Sequence, residues 1–230
     1  MSENAPPAPD RILRRARVLA ALGHRGMLEQ EKERARALDA RGKMLAWLER
    51  EELEDELEDD EETRLGAPLG QLGPQATVDC VWRFEGAVVL AWALSLVELP
   101  AHDRVADVGA LSRALAIGGP GGGLELRPRS GRELDRGRER AFAIHWRLTE
   151  FRLRPGTLDL AAFARTAWFG PLDIDPRRLV DGDLGIGGAP IARADAKAIG
   201  VAASIARERH QAFNWLNGDD PIYSEVDVST

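Results

Sequence analysis

Glu208, Arg209 and His210 stand side by side near the end of the chain, with Asn214 and Trp215 one turn further on. They bring an acid, two bases, an amide and an aromatic face to one stretch. The same residue types recur upstream as Trp82, Arg83 and Glu85, as Arg127, and as His145, Trp146 and Arg147. Carboxylates and guanidinium groups form short charge-assisted pairs, and arginine's planar fork suits bidentate pairing. When the helices carrying these residues pack together, a partly buried polar network is predicted. Two readings of it stand. It fixes helix register, or it lines a pocket for a small anionic or polar ligand, with Trp82, Trp146 and Trp215 as walls.

Catalysis needs a nucleophile with its base, a metal cluster or paired carboxylates. The four histidines, His24, His102, His145 and His210, are scattered, with no metal-ligand spacing, and no serine sits in a nucleophile elbow. No catalytic residue and no cofactor is assigned. A metal-dependent enzyme would have to build its site from Glu208, His210 and His145. The single cysteine, Cys80, falls on a predicted buried helix and reads as a core residue.

Charge is concentrated in one place. Residues 51–62 hold ten acids and no base: Glu51, Glu52, Glu54, Asp55, Glu56, Glu58, Asp59, Asp60, Glu61 and Glu62. Without those carboxylates the net charge of −7 becomes +3. Leu53 and Leu57 keep helical spacing through the run, so a helix with one thin apolar edge is predicted. Its outward face reads either as solvated surface or as a docking surface for a basic partner. The arginines are spread along every predicted helix instead of forming one basic patch, so no nucleic-acid partner is expected. Nor is a membrane partner: the longest apolar run, 86–97, is too short to span a bilayer. MSENAPPAPD lacks a basic-then-apolar signal, so a cytoplasmic protein is expected.

These groups must be positioned by helices, and the fold class read from the chain is mainly α: an orthogonal multi-helix bundle with a small β-hairpin near 179–191 and an N-terminal helical arm. The leader, 1–9, is read as disordered. A short helix follows from Asp10 and breaks at Gly23 and Gly26; a second runs over 28–50 with Leu38, Leu45 and Leu48 inward. The turn-rich segment 66–74 divides an arm, 1–65, from a main helical domain, 66–230. Residues 78–99 are apolar nearly all round and form the central helix, in which Glu85 needs an arginine partner. Ser130 and Glu133 form a capping box that starts a helix to about Arg152. Asp181-Gly182 and Gly187-Gly188 are candidate turns. The final helix spans 195–216, closed by Asn217-Gly218. Gly118–Gly123 has the glycine density of a phosphate cradle but no Lys-Ser or Lys-Thr after it, and Asp181 with Asp183 lacks the closing glutamate of a calcium loop.

Several of these pieces resemble the bacterial family catalogued as domain of unknown function 4272, over most of residues 62–230. They are Trp82-Arg83 with Glu85 and Trp92; Leu126-Arg127-Pro128; His145-Trp146-Arg147; Glu208-Arg209 with Ala212, Asn214-Trp215-Leu216 and Gly218; and the tail 226–230. Tyr223 stands where the family has Trp, and Ser229-Thr230 where it has Asp-Thr. The resemblance implies a mostly helical fold and no established activity. A non-catalytic binding or interaction module follows from the residues, adaptor- or immunity-like, using the acidic surface to engage a protein partner. A small-ligand or metal-dependent pocket is the alternative.

Overall fold

Pro9 opens the first helix, α1 (Pro9–Gln30), which runs on through Gly23 and Gly26, the positions at which the sequence predicts a break. The glycines are there because another helix crosses at that point. A Cβ on Gly23 would lie 2.6 Å from the Phe84 ring, and one on Gly26 would lie 2.7 Å from the Thr77 carbonyl oxygen. The helix-propensity cost of glycine, about 1 kcal/mol each, is offset by close packing on α4 (Pro74–Ala93). The computed structural model describes residues 5–119 and 123–230, which leaves residues 1–4 of the predicted leader and residues 120–122 of the glycine-rich loop outside the described residues.

Among the described residues there are eight α-helices and a small three-stranded antiparallel sheet. Helix α2 (Arg34–Arg50) lays Ala37, Met44, Trp47 and Leu48 inward, while Leu38, predicted to face the core, is exposed. The acidic run is not one helix. Glu52 adopts a positive φ of 53°, residues Glu54–Glu56 form a 3-10 turn, and only then does α3 (Asp59–Gly66) begin, with Glu58 and Glu61 closing its capping box. Crowded carboxylates disfavour a continuous helix, and the breaks turn several of them back toward α1. A short helix, α5 (Val108–Ala114), precedes α6 (Gly131–Leu153), which starts at the Ser130/Glu133 capping box. Helix α7 (Leu160–Thr166) is capped by Asp159.

The predicted hairpin is present and extended by one strand: β1 (Leu179–Val180), β2 (Asp183–Ile186) and β3 (Ala189–Pro190), in that order. Leu179 pairs with Leu184 and Ile186 with Ala189. Both connections are two-residue turns with positive φ throughout, 50° and 82° at Asp181-Gly182 and 60° and 86° at Gly187-Gly188. That is the geometry whose twist matches paired strands. Helix α8 (Ala196–Leu216) starts at the Asp195 cap, and Gly218 follows with φ of 79°.

The predicted boundary at 65/66 does not coincide with the packing. Ala16, Leu19, Ala20 and Leu22 of α1 join Val88 and Leu90 of α4 and Ala212 and Trp215 of α8 in one apolar core, so α1 is interior rather than an arm. A second core gathers Leu148, Leu160, Leu184, Ile186, Ile191 and Ala202 around the sheet. Helices α6 and α8 run side by side and serve both. No helix among the described residues is long and apolar enough to cross a membrane.

Candidate functional site

Glu208, Arg209 and His210 occupy consecutive positions on α8, about 100° apart around its axis, and so face three different neighbours. Glu208 turns to α4, where Arg83 Nη1 reaches its Oε2 at 3.2 Å. Arg209 turns to Glu85, the arginine partner that the sequence demands: its Nε and Nη2 both donate to Oε2, at 3.0 and 2.7 Å. His210 turns to α6 and meets His145. The single network expected from the sequence is therefore three separate contacts. Arg147 makes a fourth elsewhere, donating from Nε and Nη2 to the two oxygens of Asp183 at 2.8 and 2.7 Å.

Other members of the predicted site also part company. Arg127 pairs with Glu125 in solvent. Trp82 is half-buried on α4. Trp215 is fully buried in the main core, edge-on to Tyr223. Trp146 stacks on Phe163 at 4.7 Å and lines an open groove with Phe142, Phe169 and the exposed Trp168. These tryptophans do not wall one pocket. The metal arrangement fails for the same helical reason: Glu208 and His210 point to opposite sides of α8, and among the described residues no three His, Cys, Asp or Glu side chains group to hold an ion.

The two histidines form an ordered chain. Asn214 Nδ2 donates to the Asp227 carbonyl at 2.9 Å and approaches His210 Nε2 at 3.2 Å, so His210 Nε2 accepts. Its proton then sits on Nδ1, which donates to His145 Nδ1 at 3.0 Å, leaving the His145 proton on Nε2. Both rings are held neutral. Burial, helped by Arg207 and Arg152, lowers the His145 pKa to about 4, and burial, helped by His145 and Arg138, lowers that of His210 to about 4.

Much of the acidic run is spent inside the molecule. Arg15 of α1, 1% exposed, is bonded to Glu61 and lies 3.7 Å from Glu58. Arg17 holds Glu51 at 2.9 Å and Arg11 holds Glu56 at 3.3 Å. Asp60 pairs with Arg64 of its own helix at 2.7 Å. Burial raises the Glu61 pKa against the pull of Arg15. Glu52, Glu54, Asp55, Asp59 and Glu62 remain exposed.

A cavity of about 250 Å³ lies between α6 and α8, bordered by the segments around residues 99–102 and 174–178. Trp92, Leu99, Ile144, Ile174, Ile205 and Phe213 form its apolar wall, and Arg136, Arg140, Arg178 and Arg209 supply its charge. His102 also borders it. This ring is buried, and its Nε2 donates to the Gly185 carbonyl at 2.6 Å. Burial lowers its pKa, so the ring is neutral and Nδ1 is a bare acceptor. Among the described residues Nδ1 has no partner. Neither His102 nor Arg178 is singled out by sequence: one sits in a loop and the other in a 3-10 turn, where no periodicity marks an inward face.

The family model described as a domain of unknown function, DUF4272, matches residues 1–158. The chain belongs to this family. The DUF4272 match corrects the extent read from the sequence: it includes α1 and the acidic run, and it ends before α7, the sheet and α8. Glu85, His102, His145 and the α6 wall of the cavity lie within the DUF4272 region, whereas Arg178, Arg209, His210 and Phe213 lie beyond it. No curated protein and no solved structure matches the chain.

Proposed function

We propose that this protein is a non-catalytic binding module that holds a small, mainly apolar molecule in the cavity between α6 and α8. The observation that carries this reading is the wall itself: Trp92, Leu99, Ile144, Ile174, Ile205 and Phe213 surround about 250 Å³ of space between the two helices. The concave shape and apolar lining match ordinary small-molecule sites. Among the described residues no serine, threonine, cysteine or tyrosine lines the cavity, which favours binding over covalent catalysis. A cytoplasmic setting belongs to the same proposal.

Isothermal titration with small alcohols and acids of about ten non-hydrogen atoms tests it, alongside Ile174→Trp. Ile174 is a half-buried residue of the cavity wall, so the indole fills the space with little cost to folding. Binding by the wild type and none by the variant is expected. Equal binding by both would place the ligand elsewhere.

A second reading retains the acidic surface as a docking face for a basic protein. It is supported by Glu52, Glu54, Asp55, Asp59 and Glu62, which are exposed and make no ion pair among the described residues. Such capture is steered by charge and weakens steeply with salt; salt-insensitive capture would count against it.

A further inference from the structure

One tryptophan stands apart from the rest. Trp168 is 90% exposed, while the other five are buried or half-buried. Its ring meets Phe169 edge to face at 5.3 Å, which leaves the indole largely open to solvent. Behind it Phe169 touches Phe142 and Trp146, and Trp146 stacks on Phe163. The five rings line an open groove of about 1060 Å³ that shares no lining residue with the α6–α8 cavity. Contiguous exposed apolar surface of this kind marks interaction sites on soluble proteins.

The charge around these rings has one sign in excess. Five acids and two arginines line the groove. Glu150 is paired with Arg154, and Asp173 with Arg140. Glu139, Asp219 and Asp227 are exposed and make no ion pair among the described residues. Asp219 accepts only the Asn217 amide, and Asp227 only the Ser229 amide and hydroxyl. Arg138 is the one lining cation left to answer three carboxylates; it pairs with none of them, and its charge lowers the pKa of the neighbouring His210, which is neutral. Aromatic faces attract cations, and so does this surplus of carboxylate. An acidic segment is repelled, and a purely apolar one would strip water from the carboxylates without pairing them. The groove is also too open to enclose a small molecule, since small-molecule sites cover most of their ligand.

We propose that this groove docks an arginine-bearing segment of a partner protein, with a guanidinium laid on the Trp168 indole and apolar neighbours against Phe142 and Phe169. Arginine fits both features of the surface, because its guanidinium stacks flat on an indole and pairs with carboxylates through its fork. Glu139, Asp219 and Asp227 supply those carboxylates. The assignment is independent of the cavity reading. It also concerns a different surface from the acidic run, none of whose carboxylates lines the groove.

Calorimetric titration of the full chain with three short blocked peptides tests the assignment. One alternates arginine and leucine; the others carry glutamine or glutamate in place of arginine. The arginine peptide is expected to bind saturably, about tenfold or more tighter than the glutamine peptide, and the glutamate peptide not at all. Trp168→Ala, at an exposed position where the fold does not depend on the ring, is expected to weaken the arginine peptide about fivefold or more, and Trp168→Phe to retain part of the affinity. Glu139→Gln with Asp219→Asn should weaken it about threefold and flatten its salt dependence. Glu52→Gln with Glu62→Gln, on the acidic run, should leave it unchanged. Equal binding of the arginine and glutamine peptides would overturn the choice of a cationic segment. Loss of binding in the acidic-run variant but not in Trp168→Ala would overturn the groove as the docking surface. Absence of saturable binding by the wild type would overturn the proposal whole and leave the cavity reading untouched.

Discussion

Arg209 concentrates two hydrogen bonds on one oxygen of Glu85, while the other oxygen, Oε1, accepts the Ala106 amide at 2.7 Å. The remaining arginine donors reach the carbonyls of Pro100, Ala101 and Arg104. Every strong acceptor that this buried cation needs is in place, and the pair joins α4 and α8 to the loop between α4 and α5. Breaking such a pair from one side leaves a buried charge uncompensated, which costs about 3–5 kcal/mol. Glu85→Gln is therefore expected to lose roughly that much in urea unfolding. Glu85→Met with Arg209→Met should recover a large part of it. A Glu85→Gln variant as stable as the wild type would remove the pair from the account of the fold.

Tyr223 and Gly86 make a second test. The Tyr223 hydroxyl is buried without a partner among the described residues, and a Cβ on Gly86 would lie 2.4 Å from it. Tyr223→Phe removes an unsatisfied polar atom and should be neutral or stabilising by about 1 kcal/mol. Gly86→Ala should cost about 1–3 kcal/mol by overpacking. In the Tyr223→Phe background that cost should shrink, because the atom in the way is gone. Strict additivity of the two changes would show that the contact is not what requires glycine.

The acidic run should divide into carboxylates that hold the fold and carboxylates that do not. Glu61→Ala leaves Arg15, 1% exposed, with only Glu58 at 3.7 Å and the Glu56 carbonyl, and should cost about 3 kcal/mol. Glu62→Ala, one position along and exposed, should change stability by less than about 0.5 kcal/mol. Comparable losses from the two would mean that the run acts through its summed charge.

The His145–His210 pair predicts a pH dependence with a definite sign. Both folded-state pKa values are about 4, below the ordinary 6.5, because burial disfavours the charged ring. Between pH 6.5 and 4 the unfolded chain therefore binds more protons than the folded one. Stability contributed by the pair is complete above pH 6.5 and falls as the pH drops through that window, by on the order of 2 kcal/mol after allowance for screening. Glu61 and Glu208, whose pKa values burial raises, act in the opposite direction, since the folded state takes up their protons first. Imidazole titration by NMR separates the contributions. Midpoints near 4 for both rings agree with the geometry; a ring titrating near 6.5 would mean that the chain of hydrogen bonds is not formed.

What could be read from sequence follows where periodicity and local chemistry speak. The Ser130/Glu133 capping box, the Asp195 cap, the turns at Asp181-Gly182 and Gly187-Gly188 and the arginine required by Glu85 are all local or charge-driven signals, and each is present in the fold. Gly23 and Gly26 misled because a helix breaker and a helix crossing look alike until the partner helix is known. Glu208, Arg209 and His210 misled because adjacency in sequence is divergence on a helix. The acidic run looked like surface, since the arginines that neutralise it lie some 34–46 positions away on α1. The cavity left no trace, as its walls are assembled from loops and from three helices far apart in the chain.

The claim on which the functional account depends is that the cavity between α6 and α8 holds a small, mainly apolar molecule. Following the ring resonances of Trp92 and Phe213 by NMR while p-cresol and hexan-1-ol are added tests it most directly. The account predicts that both rings' resonances shift to saturation as probe is added, and that Ile174→Trp abolishes the change. Trp92 and Phe213 resonances that do not move with either probe would contradict it.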